Sequence, residues 1–393
     1  MPSANPLAVV ETMQTDSGSL CDPLTLEPAS PEVKRYQRQR LWSGLASMGL
    51  TLLVLSFFAL WAAPWLDLSL PGWLRENRWT RLIAWGFLIA ATLEVLTLPF
   101  AFWSGFVLEK RNDLSTQTLG GWVWKQIKSW LVGGPLGLFL LLGLYALIWY
   151  GSTYWWLWSA LGWLAVTIIL GQLLPVVVLP LFYKVTRLDD APLLERLHRL
   201  ARGTGLNVEG IYRLHLSEET RKANAALAGL GRTRRVLLGD TLLDSFSSEE
   251  IEVVFAHEVG HHVHHHLPKM VAGNVVLAGL GLWLVNVILQ NAAEPLGYAS
   301  FGDPAALPLV LLVLMLFALP FGPLLNAVSR FFEVQCDRYA LLRTHNPLAY
   351  RSAFTKLARL NKADPDPHPL VVWLYHDHPP IRKRLALADA MTG

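Results

Sequence analysis

Cysteine is almost absent: the 393 residues hold two, Cys21 and Cys336, far apart in the chain. Two such residues exclude a disulfide framework and a cysteine-rich metal site. Charge is scarce as well, with 16% Asp, Glu, Lys and Arg against about 25% in soluble domains. The net charge of +3 gives no basis for a nucleic-acid partner. No lysine or arginine precedes Lys34. The Pro-, Ser- and Thr-rich opening therefore lacks the basic start and apolar run of a signal peptide, and residues 1–33 read as a disordered tail. What is abundant is apolar: 53% hydrophobic residues and 17 Trp, too many for an ordinary soluble enzyme.

Runs of about 20 apolar residues, enough to cross a bilayer as helix, fall at about 41–63, 82–106, 131–150, 155–182, 271–290 and 305–328. They predict an α-helical multi-pass membrane protein with six spans, the third and fourth joined as a hairpin by the Trp- and Tyr-rich GSTYWW. Lys and Arg cluster before the first span, between the second and third, in the 183–270 segment and in the C-terminal tail. The links between spans three and four and between five and six carry none. That alternation predicts both termini and the 183–270 segment on the cytoplasmic side. Arg75, Arg78 and Arg81 in the first external loop run against the rule. Glu94, inside the second run, is costly in lipid and predicts a polar partner or a water-filled cavity. The expected organisation is tail 1–33, spans 34–182, polar segment 183–270, spans 271–328 and a C-terminal segment 329–393.

Within the polar segment, DAPLLERLHRLARG repeats Leu at helical spacing and stops at Gly203. GIYRLHLS and RVLLGD read as strands, and NAALAGLGRTRR as the incoming arm of a hairpin. SSEEIEVVFAHEVGHHVHHH opens with Ser247 and Glu250 at capping-box spacing, which predicts a helix running through the histidines.

Six of the chain's twelve histidines lie in that run. His257 and His261 are four apart and share one helical face, so both can ligate one zinc ion. Glu258 is placed beside the metal, where it can accept a proton from water that the metal acidifies. Gly260 removes bulk beside the site, where a substrate backbone is expected to approach. A catalytic tetrahedral zinc takes three protein ligands. Glu333, in SRFFEVQCDRYAL after the last span, is the expected third, with Asp337 one turn on as the acceptor that orients a ligating histidine. The competing reading is chance: bare HExxH motifs are common, and Glu333 and Asp337 would then be an ordinary polar face partnered by Arg330 and Arg338.

The chain resembles the integral-membrane zinc metalloproteases of the CAAX prenyl protease type 1 family. The likeness is carried by TLPFAFWSGFVLEKRNDLSTQTLGGWVWKQIK at 97–128, KANAALAGLGRTRRVLLGDTLL at 222–243, AHEVGHHVHHH at 256–266, SRFFEVQCD at 329–337 and HPPIRKRL at 378–385, in family order. It implies an α-helical membrane protein whose zincin-like α+β protease domain is cytoplasmic and split around the last two spans. By that likeness His257, His261 and Glu333 hold one Zn2+, Glu258 is catalytic, Asp337 supports a ligand, and His266 is a further histidine of the extended motif. Asn224, Ala225 and Ala226 match an edge strand along which substrate is laid by strand addition. His378 matches a histidine suited to donate to the oxyanion, and Arg384, in the same block, is expected at the substrate. His262, His264 and His265 have no counterpart and read as surface or interface histidines. The family's eukaryotic members have seven spans, one more than is read here, and Cys336 stands where the family more often has Ala.

The implied activity is hydrolysis of a peptide or protein substrate at a membrane, with removal of three C-terminal residues from a prenylated CAAX sequence as the family's version. A heat-shock-type membrane quality-control protease with non-prenylated substrates is the alternative, though the 110–128 block argues against it. A non-enzymatic zinc sensor or transporter is the more remote one, and it has no need of Glu258.

Overall fold

The computed structural model describes residues 26–206, 210–229 and 234–392. Six helices in them are long and apolar enough to cross a membrane: α1 Pro31–Leu68, α2 Arg78–Arg111, α3 Leu119–Tyr150, α4 Ser152–Phe182, and, after the polar segment, two more introduced below. Helix α1 starts earlier than the composition suggests. The Ser30 hydroxyl accepts the Val33 N–H and Pro31 sits in the first turn, so the expected tail loses its last three residues to a capped helix. Cys21 and most of that tail lie outside the described residues.

The polar segment folds as β1 Val185–Arg187, α5 Ala191–Ala201, β2 Ile211–Leu214, β3 Ala225–Ala228 and β4 Arg235–Gly239. Helix α6 Ser248–Val263 follows, then membrane helices α7 His266–Ala292 and α8 Pro304–Thr344. The C-terminal segment adds α9 Pro347–Leu360 and α10 Ile381–Thr392. Strand order is β1-β2-β4-β3, with β3 antiparallel to β4 as the hairpin reading expects. Three-residue β1 has no sequence signal of its own; it is held by pairing with β2.

Two cores form. In the membrane region Phe58, Trp85, Ile89, Tyr145, Leu289 and Val310 pack together. In the polar domain Leu197, Val236, Leu238, Phe255, Val259 and Ala353 bury the inner face of the sheet against α5, α6 and α9. At the link between the first two spans, two of the three arginines have side-chain partners. Arg81 donates to both oxygens of Asp67 at 2.7 and 2.5 Å and meets Asp303 at 2.8 Å, while Arg78 lies over Trp149 and Tyr150. Glu94 also has partners, accepting from Trp130 Nε1 at 3.0 Å and Gln126 Nε2 at 3.4 Å.

Candidate active site

Helix α6 starts where predicted. The Ser247 hydroxyl accepts the Glu250 N–H while the Glu250 carboxylate accepts the Ser247 N–H at 2.7 Å, satisfying two of the free donors of the first turn. The same carboxylate accepts from Ser352 and from Lys356 on α9, fixing α6 to the C-terminal segment. The helix does not run through all the histidines, however. It ends at Val263, and His265 takes left-handed backbone, φ 54°, before α7 begins at His266. His262 meets Arg234, and His264 lies on the ring of His266.

Helix α6 lies along α8, and this brings His257, His261 and Glu333 together across the two helices. His257 Nε2 is 3.2 Å from Glu333 Oε2, and His261 Nε2 is 3.2 Å from Glu333 Oε1. Ligand bonds of about 2.0–2.1 Å in a tetrahedron set neighbouring donors about 3.3 Å apart, so the spacing fits a divalent metal between them. Glu333 Oε2 is buried and makes no hydrogen bond, an orphaned acceptor of the kind that an ion accounts for. Cys336 shares a 4.8 Å neighbourhood with donor atoms of the two histidines. Its sulfur, though, lies 3.5 Å from His266 Nδ1, whereas Glu333 offers one oxygen to each imidazole.

The close approach depends on Gly260. A Cβ there would sit 3.1 Å from the Cα and 3.2 Å from the sulfur of Cys336. The missing side chain therefore makes room for the backbone of α8, not for a substrate as the sequence reading had it. Gly260→Ala should push α8 and Glu333 outward at an overpacking cost of about 1–3 kcal/mol. Thermal unfolding together with metal content of the purified variant checks this: both should fall, and unchanged metal content would mean that α8 yields elsewhere.

Asp337 Oδ1 is 3.0 Å from His257 Nδ1, the ring nitrogen turned away from Glu333. Arg384 donates to both oxygens of Asp337, at 2.9 and 2.6 Å, and lies 4.0 Å over the Phe354 ring. Arg384 is 6% exposed; its guanidinium is committed to Asp337, because a fully buried carboxylate needs a fixed counter-charge. Through Asp337 it supports the histidine, and it also lines the cavity before the site, where a substrate contact was expected. Arg330, the alternative partner, instead donates to the carbonyls of Val372 and His376. Burial disfavours the charged form of His257, but the carboxylates of Asp337 and Glu333 outweigh it and raise the metal-free group to about 9. Metal capture at neutral pH then displaces a proton.

His378 arrives from the loop before α10. Its Nε2 is 3.4 Å from Glu333 Oε2 and its Nδ1 2.7 Å from Asp377. Burial lowers its pKa, yet Asp377 and Glu333 raise it above the usual histidine value. Both carboxylates thus favour the protonated ring, the form that carries a proton on Nε2 as well as on Nδ1.

Glu258 accepts the Leu227 N–H at 3.1 Å, which joins the HExxH helix to edge strand β3. The Gly239 N–H donates to the Asn224 carbonyl, so by antiparallel alternation Asn224 and Ala226 spend their backbone groups on β4 while Ala225 and Leu227 turn theirs to the open edge. Leu227, missed in the sequence, takes the place expected of Ala226; the period of two counted from Asn224 could have found it. Asn361 brackets the strand's entrance, accepting from the Ala223 N–H at 3.0 Å and donating to its carbonyl at 3.1 Å. The loop between α2 and α3 braces the same segment. The Arg221 N–H donates to the Leu114 carbonyl, the Thr116 N–H donates to the Glu219 carbonyl, and Lys222 pairs with Glu109 at 2.7 Å. A cavity of about 910 Å³ opens before this edge, lined by His257, Glu258, Asn224 and Ala225 on one side and by α1 on the other.

Comparison with known proteins agrees with this assembly. Residues 187–392 match the model of peptidase family M48, and residues 29–184 match that of the CAAX prenyl protease N-terminal region, described as five membrane helices; four long apolar helices are described here in that stretch. The chain is 28% identical to an uncharacterized metalloprotease, YhfN, of Bacillus subtilis, over 83% of this chain and 76% of that one. It is 29% identical to CAAX prenyl protease 1 of Saccharomyces cerevisiae, over 77% and 70%. With a human CAAX prenyl protease 1 homolog it shares 26% identity over 95% and 88%. The crystal structure of S. mikatae Ste24p has the same fold, with a TM-score of 0.77 at 24% identity over 91% of this chain and 88% of that one. The chain belongs to peptidase family M48 and is an integral, multi-pass membrane metalloprotease.

Proposed function

We propose that this protein is a zinc endopeptidase whose site faces the cytoplasm, with His257, His261 and Glu333 holding one Zn2+. The observation that carries the reading is the convergence of two imidazole nitrogens and a buried, unbonded carboxylate oxygen beside a glutamate that already touches an open strand edge. Zinc, when held there, supplies Lewis acidity that polarises a carbonyl and acidifies water. The chain's own residues do the rest. Ala225 and Leu227 pair with an extended peptide, whose arrival takes over the Leu227 N–H and frees Glu258. Glu258 accepts the proton of the attacking water and passes it to the leaving amine. His378 donates from Nε2 to the developing oxyanion, and Asp337, held by Arg384, orients His257. The catalytic unit is assembled from 183–270 and 329–393, with the spans at 34–182 and 271–328 holding it at the bilayer.

For substrate we favour a peptide with a prenylated C-terminus, cut to release three residues, as the names of the yeast and human relatives suggest. The cavity wall supports this: along α1 it passes from Lys34 and Arg38 to Leu41, Leu45 and Met48, a basic end followed by an apolar one. The test compares a farnesylated CAAX peptide with the same peptide lacking the lipid, using detergent-purified full-length protein of measured zinc content. Cleavage confined to the farnesylated peptide is expected; equal cleavage of both would move the substrate class to unmodified membrane proteins.

A further inference from the structure

The two histidines of the metal site have different outer partners, and only that of His257 is a carboxylate. His261 Nδ1 lies 3.2 Å from Nδ1 of His266, so a single proton must sit between two ring nitrogens. His266 Nε2 is 2.9 Å from Gln335 Oε1. A carbonyl oxygen only accepts, so the proton of His266 is on Nε2 and its Nδ1 is a lone pair. The shared proton therefore belongs to His261 Nδ1. That leaves His261 Nε2 as the lone pair, directed 3.2 Å from Glu333 Oε1, where a metal ligand is required. The Cys336 thiol, 3.5 Å from His266 Nδ1, competes poorly because it is farther and a weak donor. The ring of His266 has little freedom to turn: it is 1% exposed and stacks on Phe332 at 4.1 Å and on His264 at 5.5 Å.

We infer that Gln335 and His266 form an uncharged relay that fixes the tautomer of His261 and so holds its Nε2 ready for the metal; the inference rests on the zinc reading above. His266 is a positioning residue, and its reach depends on the helix break. In a continuous helix residues five apart point about 140° away from each other. The left-handed His265 turns the chain so that His266 folds back onto His261.

The test is the rate at which zinc passes to a chelator from the purified full-length protein and its variants. His266→Leu removes the acceptor and should release zinc about 10–100-fold faster. His266→Asn also loses the stack on Phe332, but its amide oxygen can take the place of Nδ1, and it should stay within about threefold of wild type. Equal retention by His266→Leu and wild type overturns the relay, and so does equally fast release by both variants, since packing would then be the whole effect. Should the leucine variant fail to fold, Gln335→Met, at a half-buried position, reads the same relay, and unchanged release overturns it. Wild-type protein that purifies without zinc overturns the zinc reading instead, and the inference falls with it.

Discussion

Glu258→Gln should lower peptide hydrolysis by about 10²–10⁴-fold, the usual contribution of a positioned acid–base group, while zinc content stays at the wild-type level. The amide keeps the shape of the carboxylate and can still meet the Leu227 N–H, so the strand edge is not expected to move. What it cannot do is accept a proton from water. Turnover with detergent-purified protein, read beside metal analysis of the same sample, decides the matter. Loss of activity with zinc retained supports the acid–base role; retained hydrolysis would exclude Glu258 from the chemistry, whereas zinc-loaded wild type that cuts no peptide would favour a site that binds metal for sensing or transport.

Arg384→Leu should destabilise the polar domain by about 3–5 kcal/mol, because the carboxylate of Asp337, 0% exposed, would be left buried without its counter-charge. It should also loosen His257, whose outer nitrogen depends on that carboxylate. Denaturant unfolding and zinc content would fall together. The double change with Asp337→Asn sharpens the test: the amide oxygen still accepts from His257 while the unpaired charge is gone, so the double variant should be more stable than Arg384→Leu alone. A double variant no more stable than the single one would mean that the packing of Arg384 on Phe354, and not the ion pair, is what the arginine contributes.

Local patterns were the legible part of this protein. The six apolar runs mark the six long helices, because span length and backbone satisfaction in lipid leave one solution for such a run. The capping box marks the start of α6, and the hydrophobic strands mark three of the four in the sheet. Each follows from neighbours within a few residues. The readings that changed all concern what those elements meet. Gly260 looked like an opening for substrate until α8 was found against it. Arg384, expected at the substrate, lines the cavity but spends its charge on Asp337. The backbone groups of Ala226 are taken by β4, which leaves Leu227 at the free edge, and that depends on register.

The sequence by itself determined a membrane-embedded helical protein with an HExxH motif, since spacing along a helix puts His257 and His261 on one face whatever surrounds them. Only the tertiary structure decided how the expected residues meet. Glu333, Asp337 and His378 were expected from the sequence and its likeness, but that Arg384 spends its charge on Asp337 and that His266 turns back onto His261 depends on packing, and the left-handed turn at His265 leaves no clear mark in composition. Long-range packing of α6 on α8 and that one backbone reversal set which ring nitrogen faces inward, because a proton and a lone pair on the same imidazole are distinguished only by what lies beyond each.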